Sequence, residues 1–138
     1  MSLTVQTEHV PALFQAARDE ARAAAVHALR MCDETTLYDC ASLLDAEEPT
    51  PAELRFTARL ARFHGNVRCQ RAANACEAAA DAFELIDHCE TELPFPDERH
   101  AVYTHLLANV ANASRSAAQV EALAKGTPTH VRKRRAGV

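Results

Sequence analysis

The positions of the prolines and glycines constrain this chain more than any other feature. Six prolines and three glycines occur in 138 residues, almost all of them between or at the ends of Ala-rich stretches with helical spacing. Because these two residue types interrupt helices most strongly, the stretches between them are the candidate helices. Only Gly65 falls inside such a stretch. The others are Pro11, Pro49, Pro51, Pro94, Pro96, Pro128, Gly126 and Gly137.

Apolar residues three or four positions apart predict the first two helices. The first has Thr7 as its N-cap and Pro11 in its first turn, where the missing N–H costs little. The second is short, about 36–47, and ends before Pro49. Each pattern is typical of a helix with one buried face. The stripe of the first helix comprises Val10, Phe14, Ala17, Ala21, Ala24, Ala28 and Met31, and that of the second comprises Leu37, Cys40, Ala41 and Leu44.

The third helix has the clearest start, because Thr50 as N-cap, Pro51 and Glu53 form a capping-box pattern. Gly65 stays in phase with a seam of small residues, which favours one long helix over about 51–90. In that interpretation glycine is present because a neighbouring helix packs closely against it. The alternative is a turn at residues 64–66 that divides the helix, since an interior glycine costs about 1 kcal/mol relative to alanine.

The fourth helix is expected to begin near Asp97 and to end at Lys125, with Gly126 as the C′ residue. Residues 1–126 then form the helical domain, and residues 127–138 form a basic, disordered tail. The apolar stripe of this helix comprises Tyr103, Leu106, Val110, Ala113, Ala117, Val120 and Ala124.

Together these elements predict an all-α protein: a single-domain antiparallel four-helix bundle with one long central helix (about 51–90) and one short helix (about 36–47). A chain of 138 residues suffices for one core. No apolar run approaches the roughly 20 residues that a membrane span needs. We therefore expect a cytoplasmic protein without membrane contact.

A second apolar stripe lies on the opposite side of the third helix, at Phe56, Leu60, Phe63 and Val67. One neighbouring helix cannot cover two opposed faces. Either this side lies under the second helix, or it is presented to another protein chain.

Charge is segregated along the same stretch. From Arg55 to Arg71 there are five arginines and no acid, whereas from Glu77 to Glu92 there are six acids and no base. The helix dipole favours the reverse order. Antiparallel pairing of two copies in a C2 homodimer would place opposite charges together, and Arg55, Arg59 and Arg62 would then flank the interface. The alternative is that these are ordinary solvated faces.

The five cysteines are odd in number and lie in helical contexts, which indicates free thiols rather than a disulfide framework. Cys69 and Cys76 share a face, but about 10.5 Å of helix separates them, too far for one metal ion. Copper-storage four-helix bundles carry a dense cysteine ladder, whereas alanines fill most such positions between Cys69 and Cys89, and that family is not assigned. We expect no cofactor, metal or catalytic residue.

These observations favour a non-enzymatic protein that acts by protein–protein interaction, as a homodimeric scaffold or regulatory protein. One alternative is a bundle that binds a metal or small ligand through Cys69, Cys76, Cys89 and nearby histidines. Another is a nucleic-acid accessory protein, because a run of basic residues follows an otherwise acidic body. Four of the 15 basic residues form that run, which leaves 11 basic against 19 acidic side chains before it. The run is Arg132, Lys133, Arg134 and Arg135.

Overall fold

The computed structural model describes the backbone of residues 2–91 and 96–137, and the side chains of residues 12–90, 98–99 and 101–126. Over these residues the chain is helical, with no strand. The fold is therefore an all-α bundle, as predicted, although five helices are present where four were expected. They are α1 (Ser2–Arg30), α2 (Thr35–Ala46), α3 (Pro51–His64), α4 (Val67–Thr91) and α5 (Pro96–Gly137).

The chain reverses direction at Gly65. This residue has a φ of 78°, in the left-handed region, and its N–H donates to the Arg62 carbonyl at 3.0 Å as the C-cap of α3. The Asn66 side chain then accepts a hydrogen bond from the Cys69 N–H at 2.8 Å, which caps the start of α4. The prediction of one helix over 51–90 is thus wrong, and the alternative of a turn is confirmed.

The predicted role of Gly65 in close helix packing is also wrong. A Cβ placed on Gly65 would meet no heavy atom within 4 Å, and residues 64–66 are exposed. Glycine is required here by the backbone conformation, because a left-handed φ disfavours any residue that has a Cβ.

The apolar seam stayed in phase across the turn because α3 and α4 face the same core. Both halves of the seam are buried, so the spacing alone did not distinguish a continuous helix from a helical hairpin. The buried members are Leu54, Ala58 and Ala61 on α3, and Cys69, Ala72, Cys76, Ala79, Phe83 and Ile86 on α4.

The start of α3 forms as the sequence predicts. The Glu53 N–H donates to Thr50 Oγ1 at 3.1 Å, and the Thr50 N–H donates to Glu53 Oε1 at 2.7 Å, which completes a capping box with Pro51 at the first helical position.

Helix α4 is the central element and packs against α1, α3 and α5. Alanines occupy most of its buried positions, so neighbouring backbones approach it closely. The predicted stripes of the other helices also contribute to the core, which includes Phe14, Ala21, Ala28, Leu37, Leu44, Leu106, Val110, Ala113 and Val120.

Side-chain contacts define the relative directions of the helices. Arg18 of α1 meets Glu90 of α4, whereas Cys32, just after α1, meets Arg68 of α4, so these helices run in opposite directions. Helices α1 and α5 run in the same direction, because Phe14 packs on Tyr103 and His27 meets Glu121. When five consecutive helices alternate in direction, the first and the fifth point the same way.

Helix α5 begins at Pro96, beside the predicted start, but its helical backbone continues past Gly126 to Gly137. A helix can continue through glycine at a cost of about 1 kcal/mol. The side chains of residues 127–138 lie outside those described, so the predicted disorder of this tail stays a prediction. Among the helical residues described, none forms a segment with the length and apolar character of a membrane span.

Arg18 links the middle of α1 to the last turns of α4 and to the segment between α2 and α3. It is 9% exposed, donates to Glu90 Oε2 at 3.1 Å and Asp87 Oδ1 at 3.2 Å, and lies 3.7 Å from Glu48 Oε2, next to the α2–α3 connection. The hydrogen bond from Arg18 lowers the pKa of Glu90 below its ordinary value. Charge-assisted hydrogen bonds of this kind hold α1 against α4.

Replacing Gly65 with alanine should lower the free energy of unfolding by roughly 1–2 kcal/mol, because alanine would be strained at the left-handed φ. The added Cβ would meet no neighbouring atom, so no steric clash adds to this cost. Chemical denaturation of the two proteins measures this difference. Gly65→Asn is the matched control and should cost less, since asparagine tolerates this conformation better. Stabilisation by alanine would contradict the turn and indicate a continuous helix.

The Arg18–Glu90 contact predicts acid sensitivity. The pKa of Glu90 is lower in the folded state, so the ionised side chain stabilises the fold. This stabilisation is present above the ordinary pKa of about 4.5 and is lost as pH falls through the lower pKa of the folded state. Glu90 is half-exposed, so the contribution is expected to be about 1 kcal/mol or less. Glu90→Gln should lower stability at pH 7 and converge with the wild type near pH 3, which denaturant midpoints at both pH values would show.

Candidate interaction surface

Two phenylalanines lie on the outer side of α3, away from α4. Phe63 is 89% exposed and Phe56 is 55% exposed, and their separation of seven residues places them on one face. Leu60, between them, is half-buried and packs against the core. Helix α2 therefore leaves Phe56 and Phe63 largely uncovered.

An apolar groove separates α2 from α3. It has a volume of about 320 Å³, and Phe56 forms part of its wall together with Leu43, which is 73% exposed. The sequence prediction missed Leu43. Leu44 faces the core, and a step of about 100° from it directs Leu43 outward, which is the signal that could have found it. The groove is lined by Cys40, Leu43, Leu44, Ala52, Glu53, Phe56 and Thr57.

Val67 does not continue the α3 face. It follows the turn, is exposed, and lines a polar hollow at the end of the bundle with Cys32, Asn66, Arg68 and Leu123. The predicted four-residue stripe was therefore divided by the turn at Gly65. We define the apolar surface as Leu43, Phe56 and Phe63. Tyr38 of α2 is also exposed, but its ring lies under Arg30 of α1 and is not part of this surface.

Arginines of α3 pair with acids of α4 within the same chain. Arg55 contacts Asp81 at 2.9 Å and also bonds Glu84. Arg62 contacts Glu77 at 2.7 Å and donates to the side chains of Gln70 and Asn74, each at 2.9 Å. The segregated charges thus meet across a helical hairpin.

This pairing removes one reason for a homodimer. Antiparallel pairing with a second copy was one of two interpretations of the charge order, the other being ordinary solvated faces. The turn at Gly65 instead supplies an antiparallel partner inside the molecule. Arg55 and Arg62 are therefore occupied within the hairpin and do not act as free flanking charges. Their proposed place at an interface rested on a continuous helix, which the structure does not have.

Arg59 differs from the other α3 arginines. It is exposed on the same face as Phe56 and Phe63, and it forms no ion pair with any side chain that the structure describes. On α2, Asp39 is one turn from Leu43, is exposed, and also lacks an ion pair among the described side chains. By contrast, Asp45 of α2 is bound by Arg30 at 3.4 Å. Glu47, one turn past Leu43, is a second exposed acid without an ion pair among the described side chains, so one base and two acids without ion pairs lie near the apolar surface.

All five cysteines are free thiols, as predicted, and four of them are buried. Burial and the neighbouring Cys69 thiol raise the pKa of Cys32 to about 12. Burial likewise raises the pKa of Cys76 and Cys89. These thiols are held protonated, and thiolates are the form that binds metals or attacks electrophiles.

Among the side chains described, no cluster of ligands supports the predicted alternative of a metal site. No three residues of the types His, Cys, Asp and Glu come close enough there to hold an ion. Cys69 and Cys76 lie two turns apart on α4, as expected, and Cys89 is farther along the same helix. The basic run from Arg132 to Arg135 lies outside the described side chains, so its predicted role stays a prediction.

Comparison of this chain with protein-family models, with curated proteins and with solved structures found no match. The apolar surface and its bordering charges are therefore the features from which a function can be inferred.

Cys40 should be the first thiol to react in the folded protein, because it is half-exposed in the α2–α3 groove while the others are buried. Burial and Asp39 raise its pKa, so alkylation by iodoacetamide should accelerate as pH rises above the usual thiol range. Peptide mass spectrometry after timed labelling would identify the site. Cys40→Ser should abolish the fast phase, and equally rapid labelling of Cys76 would contradict the packing of α4.

Proposed function

We propose that this protein is non-enzymatic and acts by binding another protein chain through the apolar surface of Leu43, Phe56 and Phe63. The observation that carries the proposal is the exposure of Phe63, which is 89% exposed in the last turn of α3. A scaffold or regulatory protein, with a homodimer as its simplest assembly, remains the form that we propose.

Exposed side chains of this size have a cost that burial would remove. Covering a phenylalanine or leucine side chain contributes about 1.5–3 kcal/mol. Single exposed apolar residues are ordinary on protein surfaces, but Leu43 and Phe56 line one groove and Phe63 lies two turns along the same α3 face. Several large apolar side chains exposed on one side of a protein are a feature of docking sites.

The groove has a shape suited to a helical partner. Helices α2 and α3 contact each other only sparsely, while each is anchored to the rest of the bundle, α2 through α1 and α3 through α4. A gap therefore remains between two well-supported walls. An amphipathic helix inserts apolar side chains at spacings of three, four and seven residues into such grooves.

Phe63→Asp should raise the dissociation constant for self-association by roughly tenfold or more, because a charged side chain would replace the most exposed side chain of the apolar surface. Sedimentation velocity over a range of concentrations measures this constant. Leu60 is left unchanged because it packs against the core, so its replacement would confound association with folding.

Leu107→Asp is the matched control, since Leu107 is 65% exposed but lies on α5. It should leave association unchanged. Thermal melts and far-UV circular dichroism should show both variants folded. If Phe63→Asp leaves the association constant unchanged, or unfolds the protein as a core substitution would, the surface is not the docking site.

A further inference from the structure

We infer that Cys32 and Cys69 form a redox-sensitive pair, which hydrogen peroxide oxidises to a disulfide that joins the end of α1 to the start of α4. The inference goes beyond the proposed function and does not depend on it. It is based on the contact between two buried thiols and on a hollow that opens beside one of them.

The two thiols meet at one end of the bundle. Cys32 lies two residues after the end of α1, and Cys69 lies in the first turn of α4. Cys32 Sγ is 3.8 Å from the carbonyl oxygen of Arg68, and the carbon of that carbonyl is bonded to the Cys69 nitrogen. The side chains of Cys32 and Cys69 also share a hydrogen bond. They are therefore in direct contact, although α2 and α3 separate them in the sequence.

The other three cysteines are placed elsewhere. Cys76 is two turns farther along α4, and Cys89 is close to the opposite end of that helix. Cys40 lines the groove between α2 and α3. Cys69 is therefore the cysteine that the Cys32 thiol touches.

A polar hollow gives small molecules access to this pair. It has a volume of about 370 Å³, and Cys32 lines it together with Asn66, Arg68 and Leu123. Cys32 is 4% exposed, whereas Cys69 is fully buried. Hydrogen peroxide, which is little larger than water, can therefore reach Cys32 first. Cys69 then acts as the resolving thiol.

The oxidation has two steps. The Cys32 sulfur, having lost its proton, attacks one oxygen of the peroxide, the O–O bond breaks, and the departing hydroxide takes up that proton and leaves as water. The Cys69 sulfur, having lost its proton, then attacks the Cys32 sulfenic acid. The S–S bond forms, the S–O bond breaks, and a second water leaves. The two thiols thus lose two protons and two electrons, and one peroxide is reduced to two waters.

Burial makes this reaction slow. Burial and the neighbouring Cys69 thiol raise the pKa of Cys32 to about 12, Glu34 adds to the rise, and the positive charge of Arg68 opposes it. Because the thiolate is the form that attacks peroxide, little of Cys32 is reactive at neutral pH. The pair therefore responds to sustained oxidation and stays reduced during brief exposure.

The disulfide would close a loop that contains both α2 and α3. That loop carries the whole apolar surface of Leu43, Phe56 and Phe63. A cross-link around a loop of this length restricts the unfolded chain strongly, so the oxidised protein should resist denaturation better than the reduced protein. The redox state of the pair thus controls the stability of the part of the fold that carries the docking surface.

Peroxide treatment of the full-length Cys40→Ser variant in native buffer tests this inference. Trypsin releases Cys32 and Cys40 on one peptide, because no Lys or Arg lies between Arg30 and Arg55, so the substitution makes the assignment unambiguous. After the remaining thiols are blocked, mass spectrometry without reductant should find the Cys32 and Cys69 peptides linked, with the loss of two hydrogens. The urea midpoint should rise by roughly 1–2 M and return to its initial value after dithiothreitol.

Two further variants are made in the same Cys40→Ser background. With Cys69→Ala, oxidation should stop at the Cys32 sulfenic acid, which dimedone traps, and the urea midpoint should not rise. Cys89→Ala is the matched control, since it removes another buried thiol of α4. It should leave the link and the rise in midpoint unchanged.

Three results would overturn the inference. They are a link that forms only in urea, a link from Cys32 to Cys76 in place of Cys69, and a rise in midpoint that persists with Cys69→Ala. The peptide map of the Cys40→Ser protein needs no change in the core, so it decides the pairing even if Cys69→Ala fails to fold. Phe63→Asp should leave the link unchanged, which separates this test from that of the docking surface.

Discussion

The left-handed backbone at Gly65 determines how the second half of the bundle is arranged. Because φ is 78° at this residue, the helix cannot continue, and Asn66 immediately caps a new helix that returns along α3. The return brings Asp81, Glu84 and Glu77 of α4 beside Arg55 and Arg62 of α3. Electrostatic attraction then strengthens a hairpin whose direction the glycine has already set.

The small side chains of α4 explain why this helix can lie at the centre. It packs against α1, α3 and α5, and a helix with large residues on so many sides would force its neighbours apart. Alanine permits close approach, while a few larger residues, such as Phe83 and Ile86, fill the remaining space. Its narrow polar stripe, including Glu77 and Asp81, faces the arginines of α3.

The same arrangement leaves the outer side of α3 without a neighbour. One face of α3 is used against α4, and α2 is anchored to α1, so the groove between α2 and α3 remains open. Exposure of Phe56 and Phe63 is therefore a consequence of how the bundle closes. Arg59 stays available because it faces outward with the phenylalanines, whereas Arg55 and Arg62 reach α4.

Local chemistry determined much of this protein from the sequence alone. The all-helical class, the capping box at Thr50 and the buried stripes depend on residues close together in the chain. Phe56 and Phe63 were recognised as a second apolar face for the same reason. Gly65 could not be interpreted in that way, because its place in the apolar seam is compatible with both a helix and a turn.

Only the tertiary structure determined which residues of different helices are neighbours. The arginines met acids of their own chain instead of those of a second copy, because the turn at Gly65 brings together segments that a continuous helix would hold apart. The outward position of Leu43 follows from the helical step after Leu44, but only the structure shows that it lies across a groove from Phe56. Val67 was separated from the α3 face by the turn at Gly65, which periodicity does not encode. Sequence periodicity reports which face of a helix is buried, whereas the direction of the chain after a turn depends on a single backbone conformation and on the contacts that follow it.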